Sequence, residues 1–308
     1  MSSPRPSSPP DRYDVAVIGG GPAGLTAATY LGRFRRKALL LDGGPSRASW
    51  IPESHNTPGF PHGVGGQALL ARMREQADLY GAERRAGRVR TLTRTEDGFA
   101  LAIEGPEGRE HSARARFVIL ATGVVDRLPD LDGVEAAIRA ARVRICPICD
   151  AYEAIDQRIA VLGDGDHGAR EAAFLATYSP HVAFLDLRPD ATAEASPGEP
   201  GGFERLPTAL ADVSLGPDAV RVRAAGALRE FDCLYLALGC DIQNDLALQA
   251  GAARDGEGGL LVNGHQQTSV NGLYAAGDLV RGLNQIAVAT AEAAIAATDI
   301  HNRLRAEA

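Results

Sequence analysis

Val15-Ala16-Val17-Ile18-Gly19-Gly20-Gly21-Pro22-Ala23-Gly24 decides how this chain folds. A short apolar run reads as a buried strand, and it leads without a break into glycine. From Pro22 to Leu31 the pattern is that of a helix, with small residues on the side that must approach a sheet. Lys37 to Asp42 is a second apolar strand. Strand, glycine turn, helix and strand in this order specify a dinucleotide-binding unit. Its glycines have separate tasks: Gly19 makes the tight turn, Gly21 lets backbone approach a pyrophosphate, and Gly24 lets helix and strand pack closely. Asp42, 23 positions after Gly19, stands where a carboxylate holds a ribose hydroxyl.

The arrangement returns. Arg158 to Leu162 leads into Gly163-Asp164-Gly165-Asp166-His167-Gly168, with a helix expected over Ala169 to Thr177 and a strand over His181 to Leu185. Asp186 again lies 23 positions after the first glycine, so Gly163, Gly165, Gly168 and Asp186 form a candidate second nucleotide site. Each unit closes with an apolar strand and a small-residue turn, Ala121-Thr122-Gly123 and Ala237-Leu238-Gly239. The interval is 104 residues in the first unit and 76 in the second, so the second is a shortened repeat. A third strand-and-turn signature, Gly272 to Gly277-Asp278, precedes an alanine-rich helix over Gln285 to Leu304. If this segment rejoins the first unit, the second unit is an insertion, with crossings near Val125–Asp130 and Leu248–Ala252.

Cys146-Pro147-Ile148-Cys149 lies between the two glycine loops. A Cys-x-x-Cys turn brings two sulfurs close enough for a small-ring disulfide and lowers one thiol pKa toward about 7. Between two dinucleotide pockets it points to electrons moving between a flavin and a disulfide. Half of a zinc site is the alternative, but the other cysteines, Cys233 and Cys240, lie on and just after an apolar strand and read as core thiols. No metal is therefore expected. The chain's 308 residues suit two domains at roughly 150 residues each. A net charge of -7 argues against nucleic acid as main partner, and no apolar run approaches the ~20 residues of a membrane helix. Four cysteines make no disulfide framework, so a cytoplasmic setting is expected.

From Tyr13 onward the chain resembles the low-molecular-weight thioredoxin reductase family of flavoproteins. The resemblance rests on Gly19–Gly24, Asn56-Thr57-Pro58-Gly59-Phe60, Ala121–Gly123, Cys146–Asp150 and Gly277-Asp278 followed by Asn284-Gln285. It implies an α/β fold of two Rossmann-like, three-layer ββα domains, the second inserted into the first. Residues 13–127 and 250–308 would hold FAD, residues 128–249 would form the NAD(P)-binding-like insert with the dithiol, and 1–12 would be a disordered tail. FAD would touch Gly19, Gly21, Pro22, Ala23, Gly24, Asp42, Asn56, Ala121, Thr122, Gly123, Gly277, Asp278, Asn284, Gln285 and Ile286. The family pattern makes Cys149 the flavin-facing sulfur, Cys146 the interchange sulfur and Asp150 the acid–base carboxylate. It also implies a homodimer, and a thioredoxin-like protein or small disulfide as partner.

One departure concerns the electron donor. The family reads NADPH with a His-Arg-Arg cluster and a further arginine, whereas this chain has Leu185-Asp186-Leu187-Arg188-Pro189-Asp190, and Ala191–Gly202 reads as a flexible loop. Like charge at Asp186 disfavours a 2′-phosphate. NADH on Asp186, a protein donor such as a ferredoxin, or reversed flow in a flavin-dependent dithiol oxidase using oxygen are the resulting expectations. Oxidase relatives usually carry histidine after the second cysteine; Asp150 there leans toward a reductase. A redox sensor without turnover is the reading from another class.

Overall fold

A computed structural model of the chain describes residues 11–188, 194–195, 202–224 and 226–307. In chain order the first leg runs β1 (Asp11–Ile18), α1 (Pro22–Arg33), β2 (Ala38–Asp42), α2 (Gly66–Leu79), β3 (Glu83–Ala86), β4 (Arg88–Thr95), β5 (Gly98–Glu104), β6 (Glu110–Leu120) and β7 (Val124–Asp126). Next come α3 (Val134–Arg139), β8 (Val143–Arg144), α4 (Pro147–Asp150), β9 (Ile159–Gly163), α5 (Gly165–Leu175), β10 (Val182–Asp186), β11 (Glu194–Ala195) and β12 (Glu204–Pro207). A meander of β13 (Val213–Leu215), β14 (Val220–Ala224) and β15 (Ala227–Phe231) follows, then β16 (Cys233–Ala237) and β17 (Cys240–Ile242). The last leg holds α6 (Asp245–Gln249), β18 (Leu273–Ala275) and α7 (Ile286–Ala306).

The chain divides into two compact units. One gathers the residues up to 48, 68–124 and 242 onward; the other gathers 49–67 and 125–241. In the first unit β3, β2, β1, β6 and β18 lie parallel, and β5 and β4 continue from β6 as an antiparallel meander. Parallel strands are covered on both faces, which is why β1 and β2 are nearly continuous apolar runs. Side chains alternate between those faces. Ala16, Ile18, Leu39 and Leu41 share a core with Val89, Leu92, Phe99 and Leu101 of the meander. Leu40 points the other way, toward α1 at Gly24.

The second unit repeats this layering. Its sheet runs β11-β12-β10-β9-β16-β8. Ala160, Leu162, Leu185, Leu234 and Leu236 meet Val213, Val220 and Val222 of the meander on one face. Val161, Phe184 and Tyr235 meet Ala172 and Leu175 of α5 on the other. The α/β architecture of two meander–sheet–helix units is thus in place.

Several details depart from expectation. Asp11 and Arg12 belong to β1, not to a tail, because they pair with Ala113 and Arg114 of β6 and Asp11 accepts a 2.7 Å hydrogen bond from Arg85; residues 1–10 of the expected tail lie outside the described residues. The second helix starts at Gly165 rather than Ala169, directly after β9, so the second glycine loop is mostly helix. Residues 242–249, expected in the insert, pack with the first unit, since Ala247 of α6 is fully buried in the core that holds Val89 and Leu92. Conversely, Ser49–Gln67 gathers with the second unit, where Trp50 packs against the Ile138 and Leu234 core and lies 5.8 Å from the Arg139 guanidinium. Of the segment Ala191–Gly202, only Glu194–Ala195 and Gly202 are described; the two-residue β11 pairs with β12, and the rest lies outside the described residues. Among the described residues no helix is long and apolar enough to cross a membrane.

Candidate active site

In the first unit, three turns leave the same end of neighbouring parallel strands: after β1, after β6 and after β18. At a sheet of this kind, ligands bind beyond the carboxyl ends of the strands. Gly19 has φ +121, and a side chain there would run into the Ala121 carbonyl of the second turn. A side chain at Gly24 would land on the Gly19 carbonyl, so α1 sits on the turn only because that Cβ is missing. Pro22 opens α1 at a position where no N–H is lost, and Ala23 follows it, buried. A Cβ on Gly20 would occupy the space held by the Asp42 carboxylate, which itself accepts the Gly44 N–H at 3.3 Å. Backbone, helix N-terminus and carboxylate therefore stand together as a dinucleotide requires.

The other two turns are pinned. Ala121 N–H donates to Ile18 O at 2.8 Å, Thr122 Oγ1 donates to Gln243 O at 2.5 Å, and Gly123 O accepts from Gln243 N–H at 2.9 Å. The third turn has an anchor that the sequence reading missed. Glu292 of α7, 3% exposed, accepts the Gly277 N–H at 2.8 Å and the Arg281 Nε at 2.6 Å. Asp278, next in the turn, lies 3.5 Å from Arg47. Asn284, Gln285 and Ile286 form the entry to α7, with Gln285 in extended conformation as its N-cap. Asn56 stands apart from these residues in the chain's grouping: it is exposed, accepts the Ser54 hydroxyl at 3.0 Å, and belongs to the segment gathered with the second unit.

In the second unit, Cys146 and Cys149 form a disulfide. β8 ends two residues before Cys146, which is the extended N-cap of the one-turn α4 with Pro147 at its first position. Cys149 N–H donates to Cys146 O at 3.0 Å, and this single turn sets the Cα atoms 5.3 Å apart, within ordinary disulfide range. Both cysteines are half-buried, and Ile148 between them is exposed. Asp150 completes the turn. Burial pushes its carboxyl up to about 6, against the pull of Arg144 and Tyr235, which favour the charged form.

Arg144 and Tyr235 were not singled out from sequence. They face each other across the β8–β16 ladder, and each reaches Asp150: Tyr235 Oη lies 2.9 Å from Oδ1, and Arg144 Nη1 donates to the Asp150 carbonyl at 2.8 Å. The visible signal was a tyrosine within an otherwise apolar strand. Cys233 on the same strand is buried, and burial pushes its thiol up to about 12; Cys240 is half-buried and, like Cys233, outside the disulfide. Among the described residues no three metal-ligating side chains gather.

The second glycine turn is packed differently from the first. Gly168 packs on the Phe184 ring, and Asp164 is the N-cap of α5 without a side-chain capping bond. Asp186 is fully buried: Arg188 Nη2 lies 2.8 Å and Arg205 Nη1 3.6 Å from its Oδ2, and the Arg188 N–H donates to Oδ1 at 3.1 Å. Arg205 comes from β12, beyond the stretch where an arginine was sought.

The chain matches the pyridine nucleotide-disulphide oxidoreductase family over residues 13–199 and 208–293. It is 32% identical to a thioredoxin reductase of Mycolicibacterium smegmatis across 96% of this chain and 97% of that one. The structure of thioredoxin reductase from Giardia duodenalis superposes with a TM-score of 0.81 at 28% identity, covering 96% of this chain and 99% of that one. HlmI gives 0.82 at 25% identity, covering 96% and 93%. With its disulfide on a helical turn and its two glycine-turn units, the chain belongs to the pyridine nucleotide-disulphide oxidoreductase family and is a flavin-dependent thiol-disulfide oxidoreductase of the thioredoxin reductase type.

Proposed function

We propose that the enzyme reduces the disulfide of a thioredoxin-like protein, drawing electrons from a pyridine nucleotide through FAD and the Cys146/Cys149 pair. The observation that carries this reading is the disulfide itself, closed on one helical turn with a half-protonatable carboxyl, Asp150, as the next residue. Gly19, Gly21, Gly24, Asp42, Thr122, Gly123 and Asp278 would hold FAD in the first unit, where the missing Cβ atoms at Gly19, Gly20 and Gly24 let the Ala121 turn, the Asp42 carboxylate and the start of α1 close on one point. When bound, FAD supplies two-electron transfer between a nicotinamide and a disulfide. Cys146 attacks the acceptor's disulfide as a thiolate, Cys149 resolves the mixed disulfide, and Asp150 takes and returns the proton.

For the donor, the closed cluster at Asp186 weighs more than the sequence count of arginines. Among the described residues the Arg188 and Arg205 guanidiniums both meet the Asp186 carboxylate, with Arg188 38% exposed. This removes the repulsion expected against a 2′-phosphate and leaves no free carboxylate for an NADH ribose. NADPH is the preferred donor in this reading. The inward Asp186 also suits a dithiol oxidase with no nucleotide in the second unit. Anaerobic titration of the yellow protein with NADPH and with NADH separates them. Stoichiometric flavin bleaching by NADPH, followed by reduction of a thioredoxin, supports the proposal. No bleaching by either nucleotide, with prompt bleaching by a dithiol and oxygen uptake on re-aeration, refutes it.

A further inference from the structure

The Asp150 carboxyl is fixed by groups from outside its own helical turn. Tyr235 is fully buried on the helix-facing side of β16, and its hydroxyl lies 2.9 Å from Asp150 Oδ1 and 3.1 Å from Asp150 O. A hydroxyl has one proton to give. Arg144 Nη1 donates to the Tyr235 oxygen at 3.3 Å and to the Asp150 carbonyl at 2.8 Å, so the Tyr235 proton is directed at Oδ1. Arg144 is itself anchored, with Nε on Ala141 O at 3.2 Å and a side chain only 10% exposed; its Nη1 lies 3.9 Å from Oδ1. The result is a relay of donors, guanidinium to phenol to carboxylate, in which each bond polarises the next.

We propose that Arg144 and Tyr235 are positioning residues that set the pH at which Asp150 exchanges a proton with the Cys146/Cys149 dithiol. The proposal rests on the role given to Asp150 under the proposed function. When an electron pair reaches the disulfide, the S–S bond breaks and the two sulfurs share two negative charges. Asp150 in its acid form protonates one sulfur and solvent protonates the other. When Cys146 attacks the acceptor, the Asp150 carboxylate takes the Cys146 proton, the Cys146–sulfur bond forms, and the acceptor's leaving sulfur departs as thiolate. Asp150 passes that proton to the departed acceptor thiolate and takes the Cys149 proton in turn. The Cys149 thiolate then attacks Cys146, the internal S–S bond returns, the Cys146–acceptor bond breaks, and the acceptor's second sulfur leaves as thiolate and is protonated by Asp150. Both steps need Asp150 to visit both protonation states near neutral pH.

The groups that act on this carboxyl are burial, Arg144, Tyr235 and Glu153, with the buried Cys233 thiol coupled to the same cluster. Burial favours the acid, whereas Arg144 and the Tyr235 hydroxyl favour the carboxylate, so the relay holds the proton affinity down to a usable range. Removing either donor must raise it. Glu153 acts in the other direction.

The test is the pH profile of Cys146 alkylation by iodoacetamide in the reduced, full-length protein, which needs no turnover. Tyr235→Phe should move the acid limb of that profile upward by about one to two pH units, the worth of one hydrogen bond to a charged acceptor. Arg144→Gln should move it the same way, and Arg144→Lys should restore most of the shift. In an Asp150→Asn background, Tyr235→Phe should add nothing. An unmoved profile in Tyr235→Phe and Arg144→Gln, or an equal shift without Asp150, overturns the proposal. If one variant does not fold, the other decides. A wild-type protein that reduces no thioredoxin but shows these shifts would sink the proposed substrate and leave the relay standing.

Discussion

Replacing Glu292 by alanine should loosen the turn at Gly277, which we propose to lie at the flavin, by a calculable amount. Glu292 is 3% exposed and holds two donors, the buried Gly277 N–H at 2.8 Å and Arg281 Nε at 2.6 Å. The Arg281 side chain is 58% exposed, so water replaces its lost partner at a cost of ~0–1 kcal/mol. The Gly277 N–H has no such recourse, and an unsatisfied buried donor costs about 1–3 kcal/mol. Glu292→Ala should therefore destabilise the protein by about 1–4 kcal/mol, and Glu292→Gln, which keeps a carbonyl acceptor, by less. Urea unfolding of flavin-stripped protein measures the first effect. Because Asp278 follows Gly277 directly, FAD affinity measured by fluorescence should fall in the same order. If Glu292→Ala unfolds within about 0.5 kcal/mol of the parent and binds FAD equally well, the pinning of this turn by α7 is wrong.

Four further outcomes are expected. Gly168→Ala places a methyl against the Phe184 ring, where Cζ lies 2.7 Å from the added carbon, and should lower unfolding stability by about 1–3 kcal/mol. Thiol titration of the native oxidised protein near neutral pH should find about one reactive thiol, Cys240, since Cys233 is buried and pushed up to about 12; mild reduction should add about two. Asp150 and Glu171 are raised to about 6 and about 7, so their contribution to stability is complete at acid pH and is lost as pH rises through those values. Asp150→Asn with Glu171→Gln should flatten the Tm profile between about pH 4 and pH 8, and an unchanged slope would count against both shifts. Cys149→Ser should trap a mixed disulfide with a thioredoxin on gel electrophoresis, whereas Cys146→Ser should not; the reverse pattern would exchange the two sulfur roles.

The fold was legible wherever a local pattern had one physical cause. Val15–Ile18 and Ile159–Leu162 are buried on both faces of a parallel sheet, which demands continuous apolar residues, and the glycines after them answer the Ala121 carbonyl and the Phe184 ring. The onset of α5 was not legible, because glycine is a poor helix former and gave no sign that Gly165 already turns. The Arg144–Tyr235 pair depends on the register of two strands 91 positions apart, which no local window contains. Glu292 was hidden for a different reason: an acid on an alanine-rich helix reads as solvated, and only the packing of α7 shows it buried. Asp186 was found by spacing, but its neutralisation by Arg205 arrives from β12.

β7 and β17, which carry the chain out of the first unit and back into it, form a two-stranded ladder with each other. The intervening stretch therefore leaves and returns at adjacent points, like a cassette with both ends on one clip. In engineering terms, a turn of about two to five residues could join those ends and close the parent sheet without the insert. The same adjacency gives a lineage a route to gain or exchange an entire inserted unit in one recombination event. One thread complicates the cut: Trp50, encoded far upstream, packs half-buried against the insert's core, so a cassette moved alone would leave that apolar patch uncovered.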